Sequence, residues 1–105
     1  MALFVANWPQ KRALHWRCLL QARAIENQCY VIGVNRIGND GNGLSHSGDS
    51  SVIEPGGDIR FHCENDACIY TVTLAKGPMA SYRSEFPFLA DADRFGLSHT
   101  TPGCP

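Results

Sequence analysis

Four groups of side chains in these 105 residues stand at spacings that chemistry uses. His62-Cys63-x-x-x-x-Cys68 brings an imidazole and two thiols close in sequence, the material of a tetrahedral zinc site, with His46 or Cys104 as a conceivable fourth ligand. Adjacent residues of a strand point to opposite faces, so His62 and Cys63 are poorly placed to chelate together, and the second paired motif of a zinc ribbon is absent. No metal is expected. Arg23 and Glu26 stand at i, i+3, with Asn27 at i+4 from Arg23. An Arg–Glu pair on a helix anchors neighbouring loops or a subunit interface by charge-assisted hydrogen bonds, and that structural role is the expected one. His15 beside Trp16 offers an acid–base group near neutrality, but a packing or hydrogen-bonding role is favoured. Asn7-Trp8 stands ahead of Pro9 at the mouth of a short strand. A flat apolar ring with an adjacent carboxamide can orient a small polar substrate, and the same residues also suit a core Trp with a turn Asn.

Five cysteines raise the question of a nucleophile. A reactive thiol needs a helix N-terminus or a nearby cation, together with solvent access. Cys18 and Cys29 fall on the apolar face of a helical pattern, Cys63 and Cys68 flank a turn, and Cys104 stands in a tail, so none is assigned a catalytic role. The run Gly38-Asn39-Asp40-Gly41-Asn42-Gly43 is turn chemistry. His46 stands where a dinucleotide fingerprint wants glycine, and a calcium loop begun at Asp40 would end on Ser51 rather than a bidentate Glu.

Periodicity names the elements that must position these groups. Leu3 to Ala6 predicts a short buried strand, ended by Pro9. From Arg12 to Gln28 the pattern is helical: Leu14, Cys18, Ala22, Ile25 and Cys29 recur at steps of four or three, and Trp16, Leu19 and Leu20 widen that stripe. A helix apolar over so much of its circumference packs on two sides, a sheet on one and a partner helix on the other. Tyr30 to Val34 predicts a second strand, completing a strand–helix–strand unit suited to a parallel sheet. Ser50 to Ile53 predicts another strand, closed by Pro55-Gly56-Gly57. Asp58 to Cys63 and Cys68 to Leu74 alternate about Glu64-Asn65-Asp66-Ala67 and predict a hairpin. A short helix from Met79 to Ser84 and a polar tail through Pro105 follow, and the order argues for one layered α/β domain.

A net charge of −1 gives no electrostatic case for nucleic acid or an anionic membrane. No apolar run approaches the roughly 20 residues needed to span a bilayer. Met1 to Ala6 lacks the basic region and long apolar stretch of a signal peptide. Cysteines odd in number and without framework spacing fit reduced thiols in a cytoplasmic protein.

Several motifs occur in a telling order. Ala6-Asn7-Trp8-Pro9 and His15-Trp16 precede Arg23-Ala24-Ile25-Glu26-Asn27-Gln28, which runs into Tyr30-Val31-Ile32-Gly33-Val34-Asn35-Arg36. Gly48-Asp49-Ser50 then leads into Val52-Ile53-Glu54-Pro55-x-Gly57, and Tyr82-Arg83-x-x-Phe86-Pro87 into Asp91-Ala92-Asp93. This succession resembles the C-terminal half of the nitrilase (carbon–nitrogen hydrolase) superfamily, most closely its omega-amidase-like branch. The resemblance covers Leu3 to about Leu97, placing a partial hydrolase domain at 1–97 and a tail at 98–105. It implies the C-terminal part of a four-layer α-β-β-α sandwich, dimerising through the Leu14 to Gln28 helix. The implied reaction is hydrolysis of the terminal amide of a small dicarboxylic acid monoamide. A Cys thiolate attacks, a Glu shuttles protons, a Lys stabilises the oxyanion, and no cofactor is required.

In that family the nucleophile sits on an elbow of the type Cys-Tyr-Asp-x-Arg-Phe-Pro just upstream of the resembling segment, and the Glu and Lys lie further upstream still. None of the three can be placed in this chain, which by itself is expected to be inactive; Glu26 is not the family's catalytic Glu. Asn7 and Trp8 match positions that line the acyl pocket. His15, Trp16, Arg23, Glu26 and Asn27 take structural or interface roles. Two other classes stay open: a non-catalytic module pairing with an intact homologue through the same helix, and a small zinc or redox protein centred on His62, Cys63 and Cys68. Strands with unpaired edges and uncovered faces favour association, so the isolated chain is expected to be poorly soluble as a monomer.

Overall fold

The computed structural model describes residues 1–101 and Gly103. Cys104, the conceivable zinc ligand in the tail, lies outside the described residues. Strand β1 (Ala2–Ala6) and strand β2 (Val31–Asn35) run parallel, Ala2 opposite Val31 and Ala6 opposite Asn35. Parallel neighbours need a long crossover, and helix α1 (Ala13–Asn27) supplies it, entered through a 3-10 turn at Gln10–Arg12. Strands β3 (Ile37–Asn39), β4 (Ser45–Ile53) and β5 (Ile59–Glu64) add antiparallel pairs. β4 is the spine: its second half pairs with β2, its first half with β3, and its other edge with β5. Helix α2 (Lys76–Glu85) and a 3-10 turn at Phe88–Asp91 follow. Pro78 is tolerated in α2 because it falls in the first turn, where backbone N–H groups have no intrahelical partner.

One face of the sheet is covered by α1. Trp16, Leu20, Ala24, Cys29, Val31 and Ile53 form the buried cluster, with Ala2 and Ala6 packed against it. Gly33 permits the close approach: a Cβ there would lie 2.5 Å from the Leu20 side chain and 3.0 Å from the Trp16 ring. The residues of α1 that meet the sheet are therefore Trp16, Leu20 and Ala24, at steps of four. Leu14, Cys18 and Ile25, expected to lead the packed stripe, are exposed instead. Both apolar sides exist as expected, and the bulkier one, carrying the indole, took the sheet.

The opposite face of the sheet carries a continuous apolar row. Leu3 pairs with Ile32, Ile32 with Val52, and Val52 with Phe61. Leu3, Val5 and Val34 on this face are 58%, 77% and 44% exposed. Such a row through the middle of a sheet is the signature of a surface that packs against another layer.

Three departures from the predicted elements have local causes. The glycine-rich loop starts as a strand, because Ile37–Asn39 pairs with Ser45–Ser47 and the turn is confined to the residues between them. Asp40 holds that turn: its carboxylate accepts the backbone N–H groups of Leu44 at 2.9 Å and Asn42 at 2.8 Å. These bonds, that from Leu44 foremost, hold the Asp40 pKa below its ordinary value. β4 begins at Ser45 rather than Ser50, since a bulge at Gly48–Ser50 carries the strand across a break in alternation. Cys68 to Leu74 is not a strand. Alternation reports burial on one side, and Val72 and Leu74 are indeed half-buried while Ile69 is 99% exposed. It does not report whether a backbone ladder forms, and here the returning chain meets β5 through side chains.

α1 ends at Gln28, whose φ of 46° is left-handed. The Arg83 guanidinium of α2 donates to the carbonyls of Gln28 at 2.9 Å and Asn27 at 3.3 Å, placing a cation at the negative end of the helix. The Gln28 side chain donates in return to the Phe86 carbonyl. α2 is thus docked on the end of α1 by polar contacts and on the core by the half-buried Met79, with none of its residues fully buried.

Candidate active-site wall

Asn7 and Trp8 follow directly on β1, and Asn35 is the last residue of β2. All three therefore stand at the carboxyl ends of the two parallel strands, the edge where open α/β sheets bind ligands. The Asn35 carboxamide is the hub. Its Oδ1 accepts the Trp8 backbone N–H at 2.8 Å, and its Nδ2 donates to the carbonyls of Trp8 and Gly48, each at 2.9 Å. The Asn35 backbone N–H donates to Ser50 Oγ at 3.0 Å. One side chain thus ties together the loop after β1, the end of β2 and the bulge of β4, which holds Trp8 on rigid elements.

The Trp8 ring is fixed as well as its backbone. Its Nε1 donates to the Arg12 carbonyl at 2.6 Å, the Arg12 guanidinium lies 5.1 Å from the ring centroid, and the Trp16 ring is 5.8 Å away at 36°. Phe4, Trp8, Trp16, Leu19, Leu20 and Arg23 line an apolar concavity of about 160 Å³. Such an aromatic and aliphatic wall suits the apolar part of a small organic molecule; Arg23 lines it with its guanidinium paired to Glu26.

Behind this wall lies a buried polar cluster. Asp49 is 1% exposed and sits in the β4 bulge with a φ of 55°, a backbone conformation that Asp tolerates better than most residues. The Trp16 indole N–H donates to the Asp49 carbonyl at 2.9 Å. The Asp49 carboxylate accepts the Ser47 hydroxyl at 2.7 Å and meets His62 Nε2 at 2.7 Å, with the Arg17 guanidinium at 3.9 Å. Ser, His and Asp are all present, but the hydroxyl is bonded to the carboxylate and not to the imidazole. A serine nucleophile needs the reverse order, so this cluster positions structure and performs no acyl transfer.

The residues singled out from the sequence are distributed as follows. Trp8 lines the concavity; Asn7 is exposed, with no side-chain hydrogen bond among the described residues. Trp16 belongs to the core and to the wall at once. Arg23 pairs with Glu26 on the exposed side of α1, and the Asn27 amide donates to the Arg23 carbonyl at 2.9 Å. His15 is exposed. His62 is turned to the α1 face toward Asp49, while Cys63, its neighbour on β5, takes the other face. Among the described residues no three His, Cys, Asp or Glu side chains gather to hold a metal.

Sequence reasoning assigned no role to Asn35, Asp49 or Ser50. Asn35 lay inside a quoted motif as a polar residue ending an apolar strand, which was the available signal. For Asp49 the signal was the Gly48-Asp49 pair itself, since two successive residues that accept left-handed backbone mark a bulge.

The sequence profile of the carbon-nitrogen hydrolase family matches residues 3–83. The chain is 50% identical over 98 residues to the omega-amidase YafV of Escherichia coli K12, covering 92% of this chain and 38% of that protein. It is 36% identical over 86 residues to a 2-oxoglutaramate amidase of Paenarthrobacter nicotinovorans, covering 82% of this chain and 29% of the relative. A crystal structure of a CN-hydrolase superfamily protein from Xanthomonas campestris superposes with a TM-score of 0.89 at 46% identity, over 91% of this chain and 36% of that one. The chain thus spans well under half the length of the relatives it matches. No described helix is long and apolar enough to cross a membrane. The profile match, the identities and the superposition agree with the parallel strand pair and its aromatic edge, and the chain belongs to the carbon-nitrogen hydrolase family, of which it carries part of the nitrilase-type α/β fold.

Proposed function

We propose that residues 1–97 form the pocket wall and subunit-interface portion of an omega-amidase, an enzyme hydrolysing the terminal amide of a small dicarboxylic acid monoamide such as 2-oxoglutaramate, with 98–105 as a tail. The observation that carries this reading is the 50% identity to an omega-amidase across the segment that builds the Trp8–Asn35 edge. In the mechanism the family resemblance implies, a Cys thiolate adds to the amide carbon, ammonia leaves with a proton delivered by a Glu, and water hydrolyses the thioester. Nucleophile, Glu and Lys come from outside residues 1–105. What this chain contributes is orientation. Trp8 and Trp16 exclude water beside the acyl chain, Asn35 fixes Trp8, and Asn7 offers a carboxamide to the polar end of the substrate.

The uncovered surfaces fit the same reading. Leu3, Val5 and Val34, at the β1–β2 side of the face away from α1, are where a second sheet of the sandwich would lie, while Tyr70 already caps Phe61 at the other side. The outward side of α1, with Leu14, Cys18 and Ile25, is the face a second subunit would cover. Expressed alone, residues 1–105 are expected to associate. A concentration-independent monomer that melts cooperatively, seen by sedimentation and calorimetry, would contradict that.

The functional test compares the chain alone with the product of a reading frame extended upstream of the Met1 codon, scoring ammonia release from 2-oxoglutaramate. The chain alone is expected to be inactive and the extended product active, with Trp8→Ala in the latter raising KM about tenfold, equivalent to about 1.4 kcal/mol of lost binding. Turnover by residues 1–105 alone would place the nucleophile among the cysteines present and overturn the assignment.

A further inference from the structure

Two thiols on the face of β5 away from α1 take no part in the pocket. Cys63 is half-buried near the end of β5 and Cys68 is exposed, and both are free. Between them the chain reverses over Glu64–Ala67. The reversal is held by the Asn65 backbone N–H on the Ser47 carbonyl at 2.8 Å, by the left-handed Asn65 backbone (φ 58°), and by the Cys63 thiol on the Asp66 carbonyl at 3.4 Å.

Beyond the reversal the chain returns alongside β5. Phe61 and Tyr70 stack with ring centroids 3.9 Å apart and planes within 4°. Phe61 precedes Cys63 by two residues and Tyr70 follows Cys68 by two, so stepping inward from the stacked pair by one strand period on each side arrives at the two cysteines. Phe61 and Cys63 share a face of β5, and Cys68 and Tyr70 line one concavity over that face. Four residues separate the cysteines across a tight reversal, and the Phe61–Tyr70 stack holds the returning segment against β5 beside them, which is the close approach a disulfide requires.

We propose that Cys63 and Cys68 are a modification site, a facing dithiol that closes to an intramolecular disulfide when a small-molecule disulfide such as oxidised glutathione reaches it. Cys68, the accessible member, attacks one sulfur of oxidised glutathione as its thiolate, forming a mixed disulfide and releasing one glutathione. Cys63 then loses its proton and attacks Cys68 Sγ, forming the Cys63–Cys68 bond and releasing the second glutathione. The two protons shed by the cysteines are taken up by the two glutathione thiolates. One external disulfide is thereby reduced to two thiols while the protein dithiol is oxidised.

The thiols interact in the reduced state. The hydrogen bond with Cys68, followed by burial, pushes the Cys63 pKa up to about 11, keeping Cys63 a thiol until its partner has reacted. The returning segment has no ladder with β5, so the new bond would become its covalent tie to the sheet.

The test needs no assumption about the pocket. The chain is equilibrated in mixtures of reduced and oxidised glutathione, acid-quenched, alkylated and cut with trypsin. Both cysteines fall on one peptide, Phe61–Lys76, which contains no internal Lys or Arg. The expected result under oxidising mixtures is this peptide two hydrogens lighter and without alkyl groups, while Cys18 stays alkylated. Two alkyl groups, or two glutathione adducts, would overturn the proposal, as would a disulfide to Cys18 or Cys29. In Cys63→Ser the reaction is expected to stop with glutathione on Cys68. Because that variant could fail to fold, the wild-type equilibrium is also measured in denaturant, where the constant for closure is expected to fall at least about tenfold, a shift of about 30 mV for this two-electron couple. An unchanged constant would mean that the fold does not bring the thiols together, and the proposal would fail.

Discussion

Trp16→Ala is expected to remove about 3–5 kcal/mol of folding stability, the largest loss for a single truncation in this chain. Trp16 is 6% exposed and sits where three contacts meet: it fills the space over Gly33, packs on Trp8, and donates its indole N–H to the Asp49 carbonyl. Truncation opens a cavity between α1 and the sheet and leaves a buried carbonyl without its donor. Trp16→Phe separates the two effects. It keeps most of the apolar volume and loses the hydrogen bond, so about 1–2 kcal/mol is expected. Denaturant titration of the protein containing this chain measures both. A Trp16→Ala loss no greater than that of Trp16→Phe would show that the ring does not fill the core as described. If the proposed amidase reading holds, activity of the upstream-extended protein reads a second consequence, because the same ring walls the concavity: KM for the amide is expected to rise in Trp16→Phe even at temperatures where the variant is fully folded.

His62→Phe is expected to cost about 3 kcal/mol, and more than Asp49→Asn, at about 1–2 kcal/mol. The order follows from what each change leaves behind. His62→Phe strands an almost wholly buried carboxylate with the Ser47 hydroxyl and a guanidinium 3.9 Å away that is itself substantially exposed. Asp49→Asn removes the charge, keeps a side chain that accepts a hydrogen bond, and keeps a residue type that tolerates the left-handed backbone at this position. Thermal melts of the two variants decide the matter. Equal losses, or a larger loss for Asp49→Asn, would mean that the cluster acts through packing alone. These effects should not add to those at Trp16, since the Asp49 backbone links the two sites.

Much of the site's frame was legible without coordinates. The parallel strand–helix–strand unit followed from a period-four helical pattern between two apolar runs, and Asn7-Trp8 was recognisable as a polar–aromatic pair at a strand mouth. The choice between a pocket residue and a turn residue was not legible locally. What the structure adds is Asn35, which is 27 positions away and bonds the Trp8 backbone from the next strand. For the zinc reading of His62, Cys63 and Cys68 the local signal pointed the other way. Strand alternation was sufficient to doubt it, and the observed turn of His62 toward Asp49 gives the reason its neighbour Cys63 faces elsewhere.

The helix stripe and the second hairpin arm show where periodicity stops. On α1 two apolar sides compete, and composition cannot rank them; the sheet took Trp16, Leu20 and Ala24 because Gly33 leaves room for an indole and a leucine at that spot. After Glu64 the alternation of Cys68 to Leu74 records one-sided burial, while the segment forms no backbone ladder with β5.

The residue order by itself determined the family resemblance and the α/β class, because both are written in local spacing and residue type. Tertiary structure decided which side of α1 is core, where β4 breaks its alternation at Gly48-Asp49, and that Asn35 and Asp49 hold the aromatic wall. These depend on backbone and side-chain groups far apart in the chain meeting within hydrogen-bonding distance, a condition that spacing along the chain does not encode.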